Sequence, residues 1–181
     1  MEFKQTGFDG LVEIYPKIWE DERGYFYEAY QINNFKSAGI NTSFVQSNQS
    51  FSKKGVVRGL HLQLADFEQA KLVRTLKGKI LDIVVDVRKS SPTFGQHYKC
   101  LLDGDRGNMM FVPRGFAHGF AALEDSLFEY LCDNVYDKAS ESGIIWNDRQ
   151  LNIDWEISNP VISEKDMQLC TFEEFNNKIS C

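Results

Sequence analysis

Apolar and polar residues alternate with a period of two along much of this chain, the signature of strands with one face buried. The clearest stretch is Ile80 to Val87, where Leu81, Ile83, Val85 and Val87 share one face and Asp82 and Asp86 fall on the other. Lys77-Gly78 supplies a turn before it, so pairing with Lys71 to Leu76 predicts a hairpin. Further strands are predicted at Leu11 to Tyr15, Gly24 to Tyr30, Val57 to Gln63, His97 to Leu102, Met109 to Val112, His118 to Ala122 and Leu127 to Cys132. Gln31 to Ala38 reads as a short helix stopped by Gly39, and Thr171-Phe172-Glu173-Glu174 has capping-box spacing before a last helix. Many short strands with turns between them across residues 11 to 135 suit an all-β jelly roll with a few peripheral helices, not a βαβ fold. There is no repeat, low-complexity run or long linker, so a single domain over residues 1–181 is expected.

Composition narrows the partners. With 181 residues and 43% hydrophobic content the chain can bury a core of its own. A net charge of −6 and a pI near 5.1 provide no global basic field for nucleic acid or an anionic membrane. An anionic ligand must therefore be held by a local cluster of Arg and Lys. No leader pattern opens the sequence and no apolar run approaches membrane length, so a soluble, cytoplasmic protein is expected. Cys100, Cys132, Cys170 and Cys181 are widely spaced with no C-x-x-C, which argues against a disulfide framework or a zinc clasp and suits a reduced compartment.

Histidine is scarce enough that each can be weighed. His61 lies in Arg58-Gly59-Leu60-His61-Leu62-Gln63, where Leu60 and Leu62 can take one face and Gly59, His61 and Gln63 the other. A lone strand histidine is more often a hydrogen-bonded structural residue than a catalyst. Gly107 to His118 follows G-x5-P-x-G-x2-H, which resembles the second motif of the cupin barrels. The first cupin motif normally adds two His and a Glu, whereas here His61 has no second His at ligand spacing and His97 lies outside either motif. A cupin barrel without its metal is expected on that ground, and no cofactor is expected.

The blocks Asp21 to Glu28, Val45 to Asn48, Val57 to Gln63, Gln69 to Arg74, Ser90 to Gly95, Pro113 to Phe120 and Trp146 to Asp148 together resemble the dTDP-4-dehydrorhamnose 3,5-epimerase family, in order and over nearly the whole chain. The resemblance implies a dimeric cupin-type jelly roll whose substrate is a nucleoside-diphosphate 4-keto sugar. It implies His61 as general base, Tyr130 as general acid, Asp166 as the group that orients His61, and Lys71 near the developing enolate oxygen. For substrate binding it points to Arg23, Phe26, Glu28, Gln46, Asn48, Arg58, His118, Tyr136, Glu141 and Lys165.

That chemistry fits those residue types. A hydrogen next to a ketone is weakly acidic, so fixed donors must receive charge as it forms, and inversion needs a base and an acid on opposite faces of the sugar. Guanidinium forks suit a diphosphate, making Arg23 and Arg58 natural anchors. Each residue also has a plainer role: Tyr130 or Phe26 in a core, Asp166 in the S-x-x-D cap of a short helix, Lys71 as a solvated charge on the barrel rim. Arg58 has the opposite strand parity to His61, so the two share a site only through a bulge at Gly59, or if Arg58 serves a neighbouring subunit. The family pattern has an aromatic where Leu62 stands, a proline turn where Leu64 to Glu68 run, and Gly in place of Ala70. These departures leave open an enzyme that inverts one carbon only or takes another nucleotide sugar. Two other classes stay in view: a metal-dependent cupin, and a non-catalytic sugar-binding module.

Overall fold

The computed structural model describes residues 1–178, so Cys181 lies outside the described residues. In chain order the first elements are β1 (Glu2–Gln5), β2 (Val12–Tyr15), β3 (Ile18–Asp21), β4 (Gly24–Tyr27), α1 (Ile32–Ser37), β5 (Gln46–Ser52) and β6 (Val57–Gln63). After a 3-10 turn at Ala65–Phe67 come β7 (Lys71–Lys77), β8 (Lys79–Asp86), β9 (His97–Asp103), β10 (Met109–Val112), β11 (Phe116–Ala122) and β12 (Ser126–Cys132). The chain continues through β13 (Glu141–Gly143), α2 (Glu164–Met167) and α3 (Phe172–Lys178).

Two antiparallel sheets face each other as a jelly-roll barrel. One is six-stranded in the order β1-β2-β10-β7-β12-β5, the other five-stranded in the order β13-β6-β11-β8-β9, and β3-β4 form a separate two-stranded hairpin. Val73, Ile80, Val84, Leu102, Met110, Phe116, Phe120 and Phe128 fill the space between the sheets. The outer face of the five-stranded sheet is covered as well: Leu60, Leu62, Leu81, Ile83 and Val85 pack under Leu151, Trp155, Phe172 and Phe175 of the C-terminal segment. The helix α1, with Gln31 as its N-cap, puts Phe35 and the following Ile40 on the outer face of the six-stranded sheet against Ile14, Leu72, Met109 and Phe111.

Covering both faces explains one expectation that fails. Lys71–Lys77 and Lys79–Asp86 are not a hairpin: β7 pairs with β10 and β12, whereas β8 pairs with β9 and β11 in the other sheet. The turn at Gly78, with φ of +79°, carries the chain from one sheet to the other. A strand buried on both faces needs apolar side chains in both directions, so its pattern reveals its faces and not its neighbour. Four strands gave no alternation to read, among them the short, largely exposed β3. β5 is polar throughout except Phe51, β13 has only three residues, and β1 is a mostly exposed edge.

Candidate active site

The sequence Arg58-Gly59-Leu60-His61 builds one wall. Between β11 and β6 the register steps from His118↔His61 to Phe120↔Arg58, so β6 carries one residue more than its partner. Gly59, with φ of +113°, takes up that extra residue, and a Cβ there would meet the Gly119 Cα at 2.6 Å. This is the bulge that brings Arg58 onto the side of His61 despite their parity. Both line a cavity of about 490 Å³ that opens beside β5, β6 and β13. Arg58 stays at the solvent edge, where its Nε donates to Ser52 Oγ at 3.0 Å and its Nη2 to the Phe51 carbonyl at 3.3 Å.

Asp166 arrives from the far end of the chain. Ser163 caps α2 by accepting the Asp166 N–H at 3.1 Å, so the S-x-x-D cap and the role beside His61 hold together. The buried Asp166 carboxylate lies 2.7 Å from His61 Nε2 and accepts the Gly59 N–H at 3.1 Å. Burial alone would raise its pKa. The bond and charge of His61, with the Gly59 and Ser163 bonds, outweigh that and hold it below the usual carboxylate value. Because Nε2 is occupied by an acceptor, Nδ1 is the ring nitrogen able to take up a proton.

Tyr130 stands on β12 in the other sheet, so the two sheets place it and the His61–Asp166 pair on separate walls of one cavity. Burial raises the pKa of its hydroxyl, with the neighbouring Cys132 and Glu141 adding to the rise and Arg58 opposing it, so the proton stays on oxygen at neutral pH. Lys71 is not a rim charge: it lines the cavity, its Nζ 5.9 Å from the centre of the Tyr130 ring. Burial lowers its pKa, against the pull of Cys132, Asp82 and Glu141.

His118 lies deeper, its Nε2 held 2.9 and 3.0 Å from the two oxygens of the fully buried Asp82. The mouth is ringed by polar side chains. Lys165 donates to Glu141 at 2.6 Å, the Tyr136 hydroxyl donates to the other Glu141 oxygen at 3.0 Å, and Gln46 accepts the Tyr136 N–H at 2.9 Å while donating to Asn48 at 3.1 Å. Burial pushes the Glu141 pKa up, but Lys165, Tyr136 and the charge of His61 prevail and hold it down. Among the described residues, no three His, Cys, Asp or Glu side chains gather as a metal site would require.

The cavity thus unites His61, Lys71, Tyr130 and Asp166 with Gln46, Asn48, Arg58, His118, Tyr136, Glu141 and Lys165. Arg23, Phe26 and Glu28 lie elsewhere. They belong to the β3–β4 hairpin and the turn after it, which pairs with neither large sheet; Arg23 pairs with Asp21, Phe26 is 69% exposed, and Glu28 accepts from Asn34 at 2.8 Å. Sequence reasoning missed Asp82, Phe120 and Phe128. The trace of Asp82 was an acid that shares one face of a largely apolar strand with Asp86. The departures from the family pattern sit nearby: Leu62 lines the cavity wall, Ala70 donates its N–H to Asp133 at 2.7 Å, and Asn134 fastens the altered turn through the Asp66 carbonyl at 2.8 Å.

Fold and site together define a cupin-type jelly-roll protein with a cavity lined by titratable groups from both sheets. Residues 5–174 match the family model described as dTDP-4-dehydrorhamnose 3,5-epimerase. A relative of that name from Shigella flexneri is 46% identical over 165 residues, covering 90% of this chain and 91% of its own. The crystal structure of dTDP-4-dehydrorhamnose 3,5-epimerase from Elizabethkingia anophelis superposes with a TM-score of 0.93 at 44% identity, covering 97% of this chain and 98% of that one. The Legionella pneumophila dTDP-6-deoxy-D-glucose-3,5-epimerase, solved in complex with dTDP-4-keto-L-rhamnose, gives 0.93 at 40% identity, with 98% and 96% covered. The chain belongs to the dTDP-4-dehydrorhamnose 3,5-epimerase family.

Proposed function

We propose that the cavity inverts C3 and C5 of dTDP-4-dehydro-6-deoxy-D-glucose, giving dTDP-4-dehydro-L-rhamnose, by proton removal and return next to the 4-ketone. The observation that carries this reading is His61 on one sheet, paired with Asp166 of α2, and Tyr130 on the other sheet, all lining one cavity. His61 Nδ1 takes the proton from carbon, and the Asp166 carboxylate on Nε2 stabilises the imidazolium that results. Electrons from the broken C–H bond move to the ketone oxygen, where Lys71 offsets the enolate charge; one placed donor of this kind is worth about 3 kcal/mol. Tyr130 returns a proton to the opposite face, which inverts the carbon. The array needs no metal or cofactor to balance the step.

The diphosphate falls to Arg58 and Lys165 at the mouth, cationic groups that an acidic protein otherwise lacks there. The chain is proposed to be one domain and to act as a cytoplasmic homodimer. Support for the dimer comes from the β3–β4 hairpin, which exposes Trp19, Tyr25 and Phe26 together; a second copy could bring Arg23, Phe26 and Glu28 over the mouth. The free thiols of Cys100, Cys132 and Cys170 suit a reduced compartment.

The test is product analysis from dTDP-4-dehydro-6-deoxy-D-glucose in deuterated water, with a downstream reductase to draw off the product. Deuterium at both C3 and C5 is expected in the wild type. His61→Asn is expected to slow turnover by about 10²- to 10⁴-fold with substrate binding largely kept. Label at one carbon only after long incubation would defeat the double inversion.

A further inference from the structure

The cavity is lined by polar groups together with an apolar part to which Leu62, Phe120 and Phe128 contribute. Its inner end is closed by Phe120 from the five-stranded sheet and Phe128 from the six-stranded one, whose ring centres lie 4.7 Å apart. Both are nearly inaccessible, at 4% and 1% exposure, whereas Arg58 and Lys165 at the mouth are open to solvent. Phe128 continues the aromatic contact to Tyr130, 5.7 Å between ring centres, and lies 6.1 Å from the ring of His118. Nothing in the acid–base chemistry requires an apolar floor.

Resting on the activity proposed above, the geometry of a pyranose says which part of the substrate meets that floor. The diphosphate leaves from C1 and is held at the mouth, and C4 stands across the ring from C1, so C4 and its two neighbours lie in the inner half of the cavity. C6 is borne by C5, one of those neighbours. We infer that Phe120, with Phe128 behind it, is the specificity-determining surface that selects a 6-deoxy sugar, receiving the C6 methyl and rejecting a C6 hydroxyl. A methyl group gains by leaving water for an aromatic wall, and a hydroxyl set against two phenyl rings loses its hydrogen bonds without replacement. An apolar wall discriminates against one added hydroxyl by on the order of 10- to 100-fold in kcat/KM.

The experiment compares kcat/KM for dTDP-4-dehydro-6-deoxy-D-glucose and for its 6-hydroxy counterpart, dTDP-4-dehydro-D-glucose, read by deuterium incorporation from solvent. Wild type is expected to favour the 6-deoxy sugar by at least about tenfold. Phe120→Leu keeps the wall apolar and should keep the preference. Phe120→Tyr brings a hydroxyl to the floor and should reduce it to within about threefold, and Phe120→Ala, which admits water, should do the same. Equal use of both sugars by the wild type would overturn the inference, as would a ratio unchanged in whichever of Phe120→Tyr and Phe120→Ala folds, and a preference lost in Phe120→Leu. Absence of exchange on the 6-deoxy sugar itself would instead count against the proposed activity.

Discussion

The base role proposed for His61 is supported by the commitment of its other nitrogen. The Asp166 carboxylate at 2.7 Å fixes the ring and the tautomer, and its own second oxygen is anchored on the Gly59 N–H two residues before the histidine. One carboxylate thus holds the base and the bulge that aims it. Tyr130 is the complementary case: burial keeps its hydroxyl protonated, which a general acid requires. The separation of roles predicts an unusual phenotype for Tyr130→Phe. His61 remains able to remove a proton and return it to the same face, so solvent deuterium should still enter the sugar while inversion falls by about 10²-fold or more. Nuclear magnetic resonance of the recovered sugar, scoring label and configuration separately, checks it; loss of labelling in step with inversion would remove the acid role from Tyr130.

Among the elements, β6 and the β8–β9 connection decide the geometry. Gly59 and Gly119 approach so closely that a Cβ on either would lie 2.6 Å from the backbone of the other strand. Gly59→Ala combines that overlap with a disfavoured backbone conformation, so a loss of about 2–4 kcal/mol is expected in denaturant unfolding, with turnover reduced in the folded fraction as His61 and Arg58 move. Behind the sheet, Asp86 binds Arg88 at 2.7 Å and accepts from Ser91 and Thr93, each at 2.6 Å. Burial would raise its pKa, but the Arg88, Ser91 and Thr93 bonds together lower it from 3.8 to about 2. A carboxyl depressed in the folded state contributes stability that is complete above its unfolded value near 3.8 and is lost as pH falls from there toward 2. The contribution is about 2 kcal/mol. Asp86→Asn should therefore be less stable at neutral pH and show a flatter loss of stability between pH 4 and pH 2, measured by denaturant midpoints across that range.

For the whole molecule, the exposed hairpin is the unfinished part. Trp19, Tyr25 and Phe26 are 49%, 63% and 69% exposed, large apolar surfaces that a solvated hairpin does not need. Under the proposed dimer, Phe26→Asp is expected to shift the protein toward monomer in sedimentation and to raise KM more than it lowers kcat, since that arrangement puts Arg23 and Glu28 of a second copy over the mouth. A wild-type monomer at working concentration would refute the arrangement. Period-two alternation identified Val57 to Gln63 to the residue, because packing against a core demands it, while Met109 to Val112, buried throughout, stood out as a short apolar run. Alternation could not find Gln46 to Ser52, a cavity-facing edge whose polar residues serve the site instead of the core. His61, Tyr130, Lys71 and Asp166 were legible through a family pattern spread over more than a hundred residues, while Asp82 and Phe120 were not, for each looks like an ordinary strand residue until its neighbours are known. The sequence alone determined the strand faces, the absence of a basic field and the family; only the tertiary structure decided that β7 and β8 part into different sheets, that Gly59 turns Arg58 toward His61, and that two phenyl rings close the cavity. Alternation is a local property of the chain, whereas sheet partner, bulge direction and cavity floor are set by residues far apart in sequence that meet only when the barrel closes.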